Sequence, residues 1–212
     1  MNKLSILIAA AVLAAFGVIG TALVAFTHDR TWQRIQDNER DAMLKLLHDI
    51  VPADSIDNDL LHDSIQVSSP DLLGAPNTTV YRGRLNGKPV AAVFNTVAPN
   101  GYSGPIKLLV SVLRDGSLGG VRVVAHKETP GLGDKIELDK SDWVLDFTGK
   151  SLGNPDERHW GVRKDGGDFD QFSGATITPR IVVKAVKNTL LYYRQAGNAL
   201  FAQPAAAQKE QS

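Results

Sequence analysis

The chain has 212 residues, with 23 lysines and arginines against 23 aspartates and glutamates, a formal net charge of zero. Its cations are scattered among acids, so no basic run marks a nucleic-acid surface, and nucleic acid is not expected as a partner. Because it has no cysteine, the chain can form no disulfide, thiolate zinc site or cysteine-ligated iron–sulfur cluster, and it offers no thiol nucleophile.

Leu4 to Phe26 is 23 residues without a charge. As a helix it would be about 35 Å long, enough for roughly 30 Å of hydrocarbon. Gly17 and Gly20 do not argue against a span, because glycine is common in membrane helices. The run exceeds a signal-peptide core, and Leu23-Val24-Ala25 makes a poor cleavage site, so an uncleaved anchor is the expectation. Lys3 favours an inside N-terminus, whereas Arg30, Arg34 and Arg40 pull the other way, so flanking charge does not decide orientation.

Beyond the span, Trp32, Ile35, Glu39, Ala42, Met43, Leu46, Leu47 and Ile50 recur at helical spacing, all apolar but Glu39. They predict a helix from near Thr31 to Ile50 that stops before Pro52 and packs its stripe on the domain. Residues 52–78 read as loop, with one short strand around Ile65-Gln66-Val67. Val80–Leu85 and Pro89–Asn95 flank Asn86-Gly87, a strong hairpin signal because a type I′ turn wants positive φ at both central residues. Ile106–Leu113 and Leu118–His126 flank Asp115-Gly116-Ser117 and predict a second hairpin. Asp142–Phe147 reads as a short helix and Arg158–Val162 as another strand. Thr178-Pro179 reads as N-cap and first helical residue of a helix ending near Ala196. The expected fold class is therefore α+β: an N-terminal transmembrane helix, then one domain with an antiparallel sheet and flanking helices. The divisions are an anchor at 1–27, a helix and linker region at 28–78, the main domain at 79–200 and a disordered tail at 201–212.

Several chemistries are missing their motifs. Gly101-Tyr102-Ser103-Gly104 lacks the nucleophile-elbow spacing. Gly131-Leu132-Gly133 begins like a dinucleotide fingerprint, but position 136 is Ile and no βαβ unit surrounds it. The five histidines include no i, i+4 pair, and Asp165–Asp170 does not follow the EF-hand pattern, so no metal is expected. The segment Asp170-Gln171-Phe172-Ser173-Gly174-Ala175-Thr176 is different. Its small residues let a large ligand approach the backbone. The helix start beyond it offers free N–H groups and a positive dipole end to a phosphate. A capped turn with small residues chosen for packing explains the same residues, and periodicity leaves both readings open. Two more segments stand out. His126–Gly133 crowds His126, Glu128 and Thr129 beside Pro130, Gly131 and Gly133, and Gly101–Ile106 is a glycine-bracketed turn feeding a strand.

Together these three segments resemble the hallmarks of the FMN-binding domain family. That domain is found in the G subunit of the Rnf ion-translocating electron transport complex and in the C subunit of the sodium-pumping NADH:quinone oxidoreductase. The N-terminal anchor and short length favour the Rnf branch, and the likeness runs from the anchor to about Ala196. Gln171 departs from the glycine that often follows the aspartate of the attachment signature, while Ser173 to Thr176 is intact.

The resemblance implies that Thr176 is the acceptor of FMN, held through a phosphoester made by a separate flavin transferase, and is not a catalyst. Ser173, Gly174 and Ala175 would lie along the phosphate and ribityl chain, and Asp170 would belong to the transferase's recognition signature. Glu128, Thr129, Gly131, Leu132 and Gly133 would wrap the flavin. Trp143 and Trp160 read as core rings first and as flavin neighbours second. The implied role is an electron carrier, without catalysis of its own, in a membrane complex coupling ferredoxin and NAD redox chemistry to ion transport. Its partners would be the other redox subunits, with the bilayer around residues 4–26. It would be a single-pass protein of the bacterial inner membrane with its domain on the periplasmic side. A membrane-anchored flavin-bearing regulatory domain would share every motif, and a cofactor-free assembly protein is the rival of a different class.

Overall fold

The computed structural model describes residues 3–205. The chain divides into two units, residues 1–43 and 44–212. Helix α1 (Lys3–Ile50) runs from the first into the second without interruption, where the sequence suggests an anchor and a separate helix. The reason is local, because Thr27 to Thr31 holds neither glycine nor proline and nothing there breaks the ladder of hydrogen bonds. The N-terminal part of α1 exposes Leu7, Leu13, Phe16 and Val24 on all sides. By length and composition, this helix could cross a membrane.

In the second unit the chain forms a five-stranded antiparallel meander. Its strands are β1 (Ser64–Val67), β2 (Thr78–Leu85), β3 (Lys88–Ala98), β4 (Ile106–Leu113) and β5 (Leu118–Ala125), in spatial order β1-β2-β3-β4-β5. A single turn, α2 (Pro70–Leu73), joins β1 to β2. The β2–β3 hairpin turns through Asn86 and Gly87 at φ 51° and 74°, the positive values the dipeptide predicts.

Each strand presents alternate side chains to opposite faces, and here both faces are covered. On one face Phe94, Leu108, Val110 and Val112 pack with Val182, Val183, Val186 and Leu190 of helix α3 (Ile177–Ala196). On the other, Val93, Leu109 and Ser111 share a register, and the last turn of α1 seals that side with buried Leu47 and Ile50. A Cβ on Gly120 would lie 2.8 Å from Ile50 Cγ2, so α1 rests directly on the β5 backbone. Each fully buried Val, Leu or Phe contributes about 1.5–3 kcal/mol of transfer free energy. The stripe read from Trp32 to Ile50 therefore splits: its C-terminal members are buried, while Trp32 and Ile35 remain half exposed.

The segment after β5 is irregular and held by aromatic rings. Trp143, Phe147, Trp160, Phe169 and Phe172 stack or meet edge-on, with centroids 4.7 to 6.4 Å apart. The strand expected at Arg158–Val162 does not form. Glu157–His159 is a 3₁₀ turn because the Asp156 side chain accepts the Arg158 N–H at 3.2 Å, and Val162 contributes an isolated bridge to Phe169. Asp142–Phe147 is likewise 3₁₀, capped by Ser141 Oγ. A last short helix, α4 (Ala199–Ala202), buries Leu200 and Phe201, so ordered chain extends two residues into the segment read as tail. Residues 206–212 of that tail lie outside the described residues.

Candidate functional site

The three segments singled out in the sequence converge on one groove of about 510 Å³, within the range of about 300–1,000 Å³ usual for small-molecule sites. Tyr102, from the Gly101–Gly104 turn, stands on its rim at 69% exposure. Glu128, Thr129, Leu132 and Gly133 line it from the loop after β5, and Gly174 to Thr178 line it from the start of α3.

At the centre is Glu128, a carboxylate that is 4% exposed. Oε1 accepts the Ser103 backbone N–H at 3.0 Å, and Oε2 accepts the Thr178 hydroxyl in a short hydrogen bond. One buried acid thus satisfies a donor on each of the other two segments. His126 sets the acid in place, with Nδ1 accepting the Glu128 N–H at 3.0 Å and Nε2 lying 2.5 Å from Glu137 Oε1. Since Nδ1 accepts, Nε2 carries the ring proton toward Glu137. Two glycines make this closeness possible. A Cβ on Gly133 would lie 2.9 Å from Thr178 Oγ1 and 3.0 Å from Glu128 Oε2, and a Cβ on Gly101 would lie 2.8 Å from Glu128 Oε1.

The start of α3 corrects the capping expectation. Thr178 is not the N-cap. The helix begins at Ile177, Thr178 is fully buried within the first turn, and Pro179 is its third residue. Proline fits anywhere in the first turn, because N–H groups there lack an intrahelical acceptor, so it does not fix the residue before it as the cap. Thr176 occupies the position before the helix with φ −69° and ψ −28°, and its side chain makes no capping bond. Its hydroxyl has no protein partner among the described residues and borders the groove. Gly174, at φ +82°, turns the chain into α3 beside that groove, which Ile177 and Thr178 of the first helical turn also line.

Of the residues proposed from sequence, Thr176, Gly174, Ala175, Glu128, Thr129, Leu132 and Gly133 line the groove, while Ser173 and Gly131 are exposed beside it. Asp170 sits away from it, paired with Arg163 at 3.0 Å, and its carbonyl accepts the Trp143 indole N–H at 2.9 Å. Trp143 and Trp160 belong to the aromatic core rather than the groove. Sequence reasoning does not single out Tyr102 and Ile177. Their signal is a large apolar side chain inside a glycine-rich or helix-start segment, where the fold leaves them 69% and 43% exposed.

Comparison with known proteins adds to this geometry. Residues 101–191 match the family model for an FMN-binding domain, and residues 1–50 match that for the RnfG N-terminal region. The chain is 48% identical over 211 residues to the G subunit of the ion-translocating oxidoreductase complex of Pseudomonas aeruginosa, covering 99% of this chain and 98% of the relative. The protein of that name from Pseudoalteromonas atlantica is 48% identical over 191 residues, 90% of this chain and 89% of the relative. The one from Vibrio cholerae is 45% identical over 193 residues, 91% and 92% of the two chains.

Proposed function

Because this chain belongs to the family of G subunits of the ion-translocating oxidoreductase complex, we propose that it is the electron carrier of such a complex, with FMN attached through a phosphoester to Thr176. The observation that carries the attachment is the Thr176 hydroxyl: it borders the groove, and no protein group among the described residues satisfies it. The groove suits the cofactor in size, in its apolar rim of Tyr102, Leu132 and Ile177, and in the helix start that faces a phosphate.

When bound, FMN supplies one- and two-electron transfer, so a carrier can join partners of either kind. The chain's own residues do the rest. Gly174 and Ala175 give the phosphate access to the first-turn N–H groups of α3. Leu132, 41% exposed, and Ile177 offer apolar area to a ring. The open rim leaves a ring edge accessible to a partner, as electron exchange requires. The covalent tether holds the cofactor at high local concentration in a site that surrounds it only partly.

The other subunits of the complex are the electron partners, and a flavin transferase acts during maturation, with Asp170 in its recognition signature. Helix α1 anchors the chain in the bacterial inner membrane through residues 4–26, with the domain on the periplasmic side. Expression of the full chain with the transferase tests the attachment. A denaturing gel then gives a fluorescent band for wild type and a dark one for Thr176→Ala. A dark wild-type band overturns the covalent linkage, and a fluorescent Thr176→Ala band overturns the site.

A further inference from the structure

Two threonine hydroxyls stand two residues apart at the start of α3, and their surroundings are opposite. Thr176 is half buried, lines the groove and has no protein partner among the described residues. Thr178 is 0% exposed and gives its proton to Glu128 Oε2. We propose that Glu128 selects the attachment threonine. It does so as a positioning residue, withholding the Thr178 hydroxyl and fixing the first turn of α3 with Thr176 at the groove. This rests on the reading that FMN is attached at Thr176.

The chemistry of attachment makes the difference decisive. The Thr176 Oγ–P bond forms as the pyrophosphate P–O bond of a flavin dinucleotide breaks. A nucleoside monophosphate leaves, and the hydroxyl proton goes to a base of the transferase. No electrons are exchanged. The phosphorus must reach Oγ in line with its leaving group, so the hydroxyl must be open on one side. At Thr178, which also borders the groove, that side is shut, since the residue is 0% exposed and its hydroxyl is bonded to Glu128 Oε2. The same bond orients Thr176. Pro179 has no N–H, and the Arg180 N–H reaches Thr176 O only at 3.4 Å, so that backbone bond holds Thr176 weakly. The link from Thr178 through Glu128 to the Ser103 N–H ties this turn to the Gly101–Gly104 loop across the groove. Without the carboxylate, a buried hydroxyl and a part-buried N–H lose their acceptor, and the turn that presents Thr176 loses its anchor.

The test follows attachment over time on the full-length chain with transferase and flavin dinucleotide, locating the adduct by fragment mass within the peptide spanning both threonines. Wild type gains FMN on Thr176 alone, and Thr176→Ala gains none on Thr178. Thr178→Val and Glu128→Ala, verified as folded by circular dichroism, gain it on Thr176 about tenfold more slowly or worse. Thr178→Ser, which keeps the hydroxyl, restores the rate, a rescue that packing alone would not give. FMN on Thr178 in Thr176→Ala overturns the selection. A wild-type rate in Thr178→Val, the variant closest in shape, overturns the positioning role. Wild-type protein with FMN on neither threonine overturns the attachment reading beneath it.

Discussion

Among the described residues, two places in this domain bury charged side chains, Arg82 and Glu128, and beside one of them a polar group stands open to a ligand. In the first, Arg82 is 2% exposed. Its Nε donates to Asp63 Oδ1 at 2.7 Å, Nη2 makes a short bond to the same oxygen, and Nη1 donates to the carbonyls of Leu200 at 3.0 Å and Gln203 at 2.6 Å. Arg84 takes the other Asp63 oxygen at 2.6 Å and the Phe201 carbonyl at 3.0 Å. That network pins α4 to β2, and its charges spend their hydrogen bonds on one another and on the backbone. In the second, Glu128 is as well satisfied, but the hydroxyl two residues from its partner is not. Buried charge alone therefore does not mark a site. What distinguishes the groove is an unsatisfied nucleophilic group beside open volume, held in place by groups that are fully used.

The comparison breaks first at Arg82. Arg82→Ala strips Asp63 Oδ1 of both its donors and leaves two carbonyls at the end of α4 without a donor. Removing one partner of a buried pair costs about 3 kcal/mol or more, so thermal unfolding in detergent should shift down strongly. Below the new midpoint flavin attachment should be unchanged, since no groove residue is touched. Glu128→Ala should cost less, about 2 kcal/mol, for the orphaned Thr178 hydroxyl and Ser103 N–H. Unlike the Arg82 variant, it should slow attachment at temperatures where the protein is fully folded. Thr176→Ala stands at the opposite pole, with stability within about 0.5 kcal/mol of wild type and no flavin in the denatured band.

How much of this is legible in the sequence depends on whether the signal is local. The two hairpins are, because Asn86-Gly87 and Asp115-Gly116-Ser117 specify their turns whatever lies around them. The α+β class follows from them. The groove is legible as three odd loops, each glycine-rich for a reason that appears only in three dimensions: Gly101 and Gly133 leave room for a carboxylate from a different loop or a neighbouring turn. Thr178 misleads because Thr-Pro matches a cap by local rules, whereas a tertiary partner 50 positions away claims its hydroxyl. The irregular stretch from 126 to 176 defeats periodicity. Its order comes from five aromatic rings and from side chains such as Asp156 that capture backbone N–H groups.

The smallest effect concerns the outer brace of α3. Asp165 accepts two bonds from the Arg180 guanidinium, at 2.5 and 2.8 Å. Those bonds hold its carboxyl below the usual aspartate range against the opposing effect of desolvation, with the charges of Arg180 and Lys164 adding to them. A carboxyl lowered in the folded state binds its proton more weakly there than in the unfolded chain. Its contribution to stability is therefore present above the unfolded value of about 3.9 and is lost as pH falls through the lower folded value. Asp165→Asn should accordingly melt slightly below wild type at neutral pH, and the two curves should converge once pH falls below the lowered folded value. Both side chains are more than 40% exposed, so salt should close the gap as well. The Arg82 deficit should survive the same salt, because its charges lie out of reach of mobile ions. If salt erased both deficits alike, the Arg82 network would be a surface brace too, and its standing as a buried charge comparable with Glu128 would fail.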